Sequence, residues 1–215
     1  MRQLMQSLDM VWLEDTLMRV AAVLLCLTVH ETCHGLAALA LGDPTARSRH
    51  RLSLNPLRHI DWLGLAMMLF AGFGWARPVP VDPRYFRNPK RGMAVTALAG
   101  PVSNLLLALL ALLAGRMIAG FTDFGPVWNV GFEFCVLTLA PLSIGLGLFN
   151  LLPIPPLDGA KVLGAFLPDR TYFGLMRYER YGMLALLALS WLGLTSRMIS
   201  GAIRWVYMTM FYLFF

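Results

Sequence analysis

Residues 20–41, VAAVLLCLTVHETCHGLAALAL, place two histidines and a glutamate within an apolar stretch. The apolar segment begins at about Leu17 and continues to Leu41, where Gly42-Asp43-Pro44 ends it. At a rise of about 1.5 Å per residue, a helix of this length crosses a hydrocarbon layer about 30 Å thick. The stretch therefore predicts a membrane span that carries ionisable side chains.

The composition of the whole chain also predicts a membrane protein. Of its 215 residues, 58% are hydrophobic and 14% are charged, whereas soluble domains are about 45–50% apolar and about 25% charged. So few charged residues could not cover a soluble surface. The length allows one domain with about five or six spans. We therefore expect residues 1–215 to form a single all-α, polytopic transmembrane domain.

The positive charge is concentrated in one part of the sequence. The net charge is +6, and nine of the 18 Lys and Arg residues lie between Arg47 and Arg91. They flank apolar segments, as positive residues do in cytoplasmic loops, so we expect no nucleic-acid partner. The same rule places the N-terminus outside, the first span running inward, and positions 48 and 125 on opposite sides of the membrane.

Two apolar segments after the first one have the length of spans. They cover Gly92–Ile118, predicted to run outward, and Gly131–Leu152, predicted to run inward. The region 181–215 is compatible with two short spans broken near Gly193–Gly201 or with one long bent span.

The shorter apolar segment Ile60–Trp75 has arginine-rich sequence on both sides. A crossing would place one basic cluster outside, so the pattern favours a re-entrant hairpin over a true span. Arg77–Pro89 follows with four prolines, which predict an extended backbone rather than a helix.

The motif His30-Glu31-Thr32-Cys33-His34 in the first span predicts a metal site. Histidines four residues apart project from the same face of a helix and can bind one zinc ion. Glu31 can then take a proton from the attacking water and pass it to the leaving amine. The alternative is a chance group of polar residues on a buried face, but ionisable residues within spans are expensive and usually functional.

A catalytic zinc usually has three protein ligands, and we expect Asp158 to be the third. It lies at the cytoplasmic end of a predicted span, in an irregular, proline-rich break that can line a cavity. Asn150 is a candidate donor to the oxyanion of the reaction, and Asn104 is expected to be structural or to position substrate. His50 and His59 lie in the basic loop, where we expect them to be solvated or interfacial.

In this ordered set of motifs the chain resembles the site-2 protease family of intramembrane zinc metallopeptidases. The resemblance is to the compact bacterial form without accessory PDZ or CBS domains, and it covers most of residues 30–168. The motifs are HETCHG (30–35), LGDPTA (41–46), LNPLRHID (54–61), GWARPVPVDPRYFRNPKRG (74–92), ALAGPVSN (97–104) and FNLLPIPPLDG (149–159).

The resemblance implies a helical core that holds one zinc ion inside the bilayer near its cytosolic side. It implies that His30, His34 and Asp158 bind the metal, that Glu31 is the general base and that Asn150 assists the intermediate. The motif-bearing core would be residues 17–168, followed by a C-terminal helical region at 181–215.

By the same resemblance, the substrates would be transmembrane or membrane-anchored proteins cleaved in regulated intramembrane proteolysis. The stretch 74–89 resembles a membrane-associated hairpin whose extended edge can pair with an unwound substrate. The expected location is the bacterial inner membrane, as a multi-pass protein. The alternative function is a non-catalytic membrane metal-binding protein or a transporter.

Overall fold

The computed structural model describes residues 2–71, 76–177 and 179–215, and in these ranges it contains helices and no strand. The all-α architecture expected from the sequence is thus present. Tighter helical turns cover Pro56–Arg58, Pro83–Tyr85 and Ala119–Phe124, and a π-helical segment, Glu133–Leu139, joins α5 to α6. The α-helices are α1 Arg2–Ala40, α2 Thr45–Ser48, α3 Trp62–Ala71, α4 Pro89–Ile118, α5 Pro126–Phe132, α6 Ala140–Asn150, α7 Asp158–Gly164, α8 Asp169–Arg177, α9 Glu179–Trp191 and α10 Leu194–Phe211.

Helix α4 lies at the centre of the fold and packs against α1, α6 and α7. Its start is specified locally, because the Asn88 side chain accepts a hydrogen bond from the backbone N–H of Arg91 and Pro89 occupies the first turn. Many of the buried residues around it are small, which lets neighbouring helices approach closely. The apolar core combines residues of α1, α4, the π-helical segment and α6: Ala22, Cys26, Ala108, Ala111, Leu112, Val136, Leu139, Ala140 and Ile144.

Two helical stretches of the described chain are long and apolar enough to cross a membrane. They cover Pro89–Phe121 and Pro126–Asn150, close to the predicted spans Gly92–Ile118 and Gly131–Leu152. The protein buries 44% and 33% of their most apolar windows, so more than half of each window is not buried within the protein. The total number of spans remains a prediction.

Helix α1 begins well before the predicted first span. It contains 39 residues from Arg2 to Ala40, whereas the apolar pattern begins at about Leu17. Residues 2–34 include neither glycine nor proline, so nothing in the backbone interrupts the helix before the apolar segment. Gly42, with φ of +101°, ends this part of the chain in the left-handed conformation that follows many helices.

The predicted re-entrant hairpin falls partly outside the described residues. Helix α3 has ten residues and is therefore only about 15 Å long, too short to cross a bilayer alone. Residues 72–75, where a hairpin would turn, are among those not described, and the hairpin stays a prediction. Downstream, α9 and α10 are separate helices with Gly193 in the left-handed conformation between them (φ +67°), as the two-segment alternative requires.

The expectation for His59 is wrong. Its side chain is buried at 2% exposure, and its Nε2 lies 2.7 Å from the carbonyl oxygen of Ser53. The same carbonyl accepts a hydrogen bond from Thr32 of α1, so the basic loop folds back against this helix instead of extending into solvent. His50, by contrast, is exposed.

Candidate metal centre

His30, His34 and Asp158 come together where α1, α4 and the start of α7 meet. The Nε2 atoms of the two histidines are 2.9 Å apart, and each lies 3.1 Å from Oδ2 of Asp158. All three side chains are buried. In the described part of the chain, they form the one group of three or more His, Cys, Asp or Glu side chains close enough to share an ion.

The ring of His34 is fixed by a backbone carbonyl. Its Nδ1 lies 2.7 Å from the carbonyl oxygen of Thr96 on α4. A carbonyl can only accept, so Nδ1 of His34 carries the proton, and in the neutral ring Nε2 is left with a lone pair. This lone pair faces His30 and Asp158, as a metal ligand requires.

Asp158 divides its two oxygens between different partners. Oδ2 faces the two histidines, whereas Oδ1 lies 3.5 Å from Nζ of Lys161. Lys161 is one helical turn further along α7, so the i, i+3 spacing brings the ammonium group back to the carboxylate. The lysine therefore neutralises the side of Asp158 that points away from the histidines.

The residues fit a bound zinc ion. Atoms bound tetrahedrally at about 2.0–2.1 Å from one zinc lie about 3.3 Å apart, and the three atoms here are 2.9–3.1 Å apart. The carboxylate oxygen and Nε2 of His34 both accept, and a cation between them would satisfy both. Two imidazoles and a carboxylate are a common ligand set for catalytic zinc.

Glu31 lies next to the first histidine in sequence but bonds to another part of the chain. Its Oε2 accepts a hydrogen bond of 2.8 Å from the backbone N–H of Val79, and both residues are buried. Pro78 and Pro80 on either side lack an N–H. Val79 is therefore the one residue of this tripeptide that can donate to the carboxylate.

The extended segment 76–82 is anchored beside the centre at several points. The backbone N–H of Asp82 donates to the buried Asp43 carboxylate at 2.7 Å, and Nη2 of Arg51 donates to the carbonyl of Arg77 at 2.8 Å. Hydrogen bonds from Arg84 lower the pKa of Asp82 to about 2. Burial, and then the neighbouring Arg77, lower the pKa of Arg51. The anchors hold the segment over Glu31.

A cavity of about 490 Å³ connects these groups, within the usual range of 300–1,000 Å³ for small-molecule sites. Asn150 lines it and uses one amide N–H on the carbonyl of Leu146 at 3.0 Å. Its amide has a second N–H, which is the donor that the predicted oxyanion role needs. The polar lining consists of His30, Glu31, His34, Thr96, Asn150, Asp158 and Lys161, with Pro78 and Val79 of the extended segment on one wall.

Asn104 lies outside this cavity. It is completely buried, and its Nδ2 is 3.1 Å from Nδ1 of His30. The structure thus places it against a predicted metal ligand.

Several groups at the centre were missed by sequence reasoning. The backbone N–H of Val79 and the carbonyl of Thr96 carry no residue-type signal, because every residue but proline has both groups. Gly100 packs against both histidine rings, although its motif alone does not indicate this contact. The position of Lys161, three residues after Asp158 on a helix, was a signal that could have been used.

The chain is similar in sequence to known proteins over most of its length. The sequence profile of peptidase family M50 matches residues 18–192. A Bacillus subtilis protein named "Putative zinc metalloprotease YwhC" is 37% identical over 171 residues, which cover 79% of this chain and 78% of that protein. "Putative zinc metalloprotease Rip2" of Mycobacterium tuberculosis is 32% identical over 196 residues, or 88% of this chain and 73% of that protein. No solved structure matches the chain significantly.

The region matched by the family profile includes His30, His34 and Asp158. The names of the relatives support a zinc metalloprotease, and proteins of the family are membrane proteins. With the profile covering most of its length, the chain belongs to peptidase family M50, the site-2 protease family.

Proposed function

We propose that this chain is a zinc-dependent intramembrane endopeptidase that hydrolyses a peptide bond of transmembrane or membrane-anchored proteins. The observation that carries the proposal is the shared cavity, which is lined by His30, His34 and Asp158 together with Glu31. A metal site with a carboxylate beside it is the arrangement that metal-assisted peptide hydrolysis requires.

His30, His34 and Asp158 would hold one zinc ion per chain. Bound there, zinc supplies a Lewis acid that polarises the carbonyl and makes water a better nucleophile at neutral pH. Glu31 takes the proton of the attacking water and gives it to the leaving amine. Asn150 donates from its amide to the oxygen of the substrate carbonyl as negative charge develops there.

The intramembrane location rests on the helices around the centre. His30 and His34 lie inside the apolar part of α1, and Asn104 lies within the candidate span Pro89–Phe121. We propose a multi-pass protein of the bacterial inner membrane, with the centre open to water from the cytosolic side. Residues 1–215 would form one metallopeptidase domain, with its motif-bearing core at 17–168 and a C-terminal helical region at 181–215.

Substrate would enter beside the extended segment 76–82. Residues 79 and 81 of an extended chain point their N–H groups to the same edge, and the N–H of Val79 is directed at Glu31. A substrate strand that pairs with this edge competes with Glu31 for that donor. Binding would thus extend the substrate and release the general base in one step.

The alternative function is metal transport or metal binding without catalysis. A transporter is expected to carry polar groups along a full crossing. Here the buried polar residues of α1 between Thr28 and His34 cluster at one depth, and Glu31 is present beside the ligands. These observations favour the protease.

Cleavage of a single-span model substrate in proteoliposomes tests the proposal. We expect cleavage by the wild-type protein, loss of cleavage with a zinc chelator and recovery when zinc is returned. Glu31→Gln should lower the rate by about 100-fold or more, since it removes the proton acceptor, and zinc content should remain that of wild type.

Glu133→Gln is the matched control, because Glu133 lies in the candidate span Pro126–Asn150 and does not line the cavity. It should cleave at the wild-type rate. Zinc flux across the vesicles without cleavage would favour the transporter, and full proteolysis by Glu31→Gln would refute the mechanism.

A further inference from the structure

We infer that Asn104 is a positioning residue: its side-chain carbonyl accepts a hydrogen bond from Nδ1–H of His30 and so directs the Nε2 lone pair of His30 to the metal. The inference rests on the proposed zinc site and adds a residue that determines how one ligand is presented. Asn104 would not touch the substrate.

The contact between the side chains of Asn104 and His30 is close and buried. Asn104 has 0% exposure and His30 has 4%, and the amide nitrogen lies 3.1 Å from Nδ1 of His30. The other end of the amide, Oδ1, is buried without a hydrogen-bond partner among the described residues. As placed, the amide therefore satisfies its nitrogen and leaves its oxygen unpaired.

The chemistry of histidine decides which end of the amide must face the ring. A neutral imidazole has one N–H and one lone pair, so a ring that binds metal through Nε2 carries its proton on Nδ1. That proton needs an acceptor, and the Asn104 amide is what lies beside it. A half-turn about Cβ–Cγ exchanges the two ends of the amide, which have almost the same size. With the amide turned in this way, Oδ1 of Asn104 accepts the Nδ1–H of His30, so one hydrogen bond pairs both groups.

Packing alone does not account for an asparagine at this position. A leucine side chain has a similar volume and would leave no polar atom to satisfy in a buried site. An unpaired buried oxygen is destabilising. An asparagine is therefore unfavourable at this position unless its amide oxygen makes a hydrogen bond. Its contact with His30 is the interaction that distinguishes it from leucine.

Helix α4 also places a hydrogen-bonding group beside Nδ1 of the second histidine, His34. Thr96 and Asn104 are eight residues apart and lie on one face of the helix. The carbonyl of Thr96 is 2.7 Å from Nδ1 of His34, as the amide of Asn104 is 3.1 Å from Nδ1 of His30. One helix face thus contacts the outer nitrogen of both rings and leaves both Nε2 atoms toward Asp158.

Zinc affinity of the purified full-length protein in detergent tests the inference. Asn104→Asp keeps an oxygen at both ends of the side chain and removes the nitrogen, whereas Asn104→Leu removes all hydrogen bonding. We expect the dissociation constant of Asn104→Asp, measured by competition with a chromogenic chelator, to stay within tenfold of wild type. That of Asn104→Leu should rise by about 10- to 100-fold, as for other partners of metal-binding histidines.

Two results would overturn the inference. A loss of more than tenfold in Asn104→Asp would show that the amide nitrogen is the required group, and a change under tenfold in Asn104→Leu would show that no hydrogen bond is required. If the leucine variant does not fold, the aspartate variant alone tests the inference. A rise of more than tenfold in its zinc dissociation constant would then overturn it.

Ser143→Ala is the control for loosened packing, because Ser143 is buried and donates to the backbone carbonyl of Asn104 at 2.7 Å. It should bind zinc as wild type does, and a loss equal to that of Asn104→Leu would overturn the inference. A wild-type protein that binds no zinc would instead refute the proposed function, and this inference with it.

Discussion

At the scale of single residues, Gly100 marks the closest approach of α4 to the histidine rings. A Cβ atom at this position would lie 2.5 Å from Cε1 and Nε2 of His34 and 2.6 Å from Cε1 of His30. The rings of His30 and His34 would have to move, because the backbone of α4 is held in place by its packing. The glycine is thus required by space rather than by backbone conformation.

We predict that Gly100→Ala lowers zinc affinity by about tenfold or more, the size of effect seen when ligand orientation is disturbed. Alanine favours helix over glycine by about 0.5–1 kcal/mol, so α4 itself should not be weakened. Gly145→Ala is the matched control, because its Cβ would meet only Ile203, at 3.5 Å. Titration of both variants with zinc checks the prediction, and equal affinities would contradict it.

The residues of the centre differ in how far sequence could predict them. His30 and His34 are four residues apart on one helix, so local geometry alone brings them to one face. Asp158 is 124 residues beyond His34, and it was predicted from the irregular end of a span and from family resemblance. The bonds to Asn104 and Thr96 depend on how α4 packs against α1, which no local pattern specifies.

At the scale of elements, the extended segment 76–82 donates a hydrogen bond to Glu31, the proposed general base. The four prolines predicted an extended backbone over Arg77–Pro89; residues 77–82 are extended, but Pro83–Tyr85 forms a tight helical turn and Pro89 begins α4. The bond from Val79 to Glu31 joins residues 48 positions apart and involves a backbone donor. Sequence therefore predicted the shape of residues 77–82 but not their contact with the Glu31 carboxylate.

We predict that Val79→Pro reduces cleavage by on the order of 10- to 100-fold, because the segment loses the N–H that holds Glu31 before substrate binds and would pair with the substrate strand afterwards. Zinc affinity should be unchanged, since the N–H of Val79 bonds to Glu31 and not to one of the three proposed ligands. Val79→Ala, which keeps the N–H and shortens only the side chain, is the control. Cleavage rates of the two variants on one substrate check this, and a wild-type rate for Val79→Pro would refute the positioning role.

The helix boundaries show a second limit of sequence patterns. The apolar pattern predicted the spans at Gly92–Ile118 and Gly131–Leu152 to within a few residues of the candidate spans in the structure. It did not indicate where α1 begins, because hydropathy marks the membrane and not the helix. A polar segment without glycine or proline continues the helix beyond the apolar region.

At the scale of the whole molecule, the position of the centre depends on how the chain crosses the membrane. The positive-inside rule puts the basic loop after α1 in the cytosol and the turn between α4 and α5 outside. We predict that reporter fusions after residues 48 and 125 fall on opposite sides. Fusions on the same side would remove the proposed opening of the centre to the cytosol.

The central claim is that two histidines and an aspartate, gathered from both ends of the motif-bearing core, hold a zinc ion. The zinc X-ray absorption spectrum of the purified full-length protein tests it most directly. We predict one zinc per chain with nitrogen and oxygen neighbours at about 2.0–2.1 Å, including the scattering pattern of two imidazoles. A sulfur neighbour at about 2.3 Å, which would indicate cysteine ligation, or a spectrum without imidazole would contradict the account.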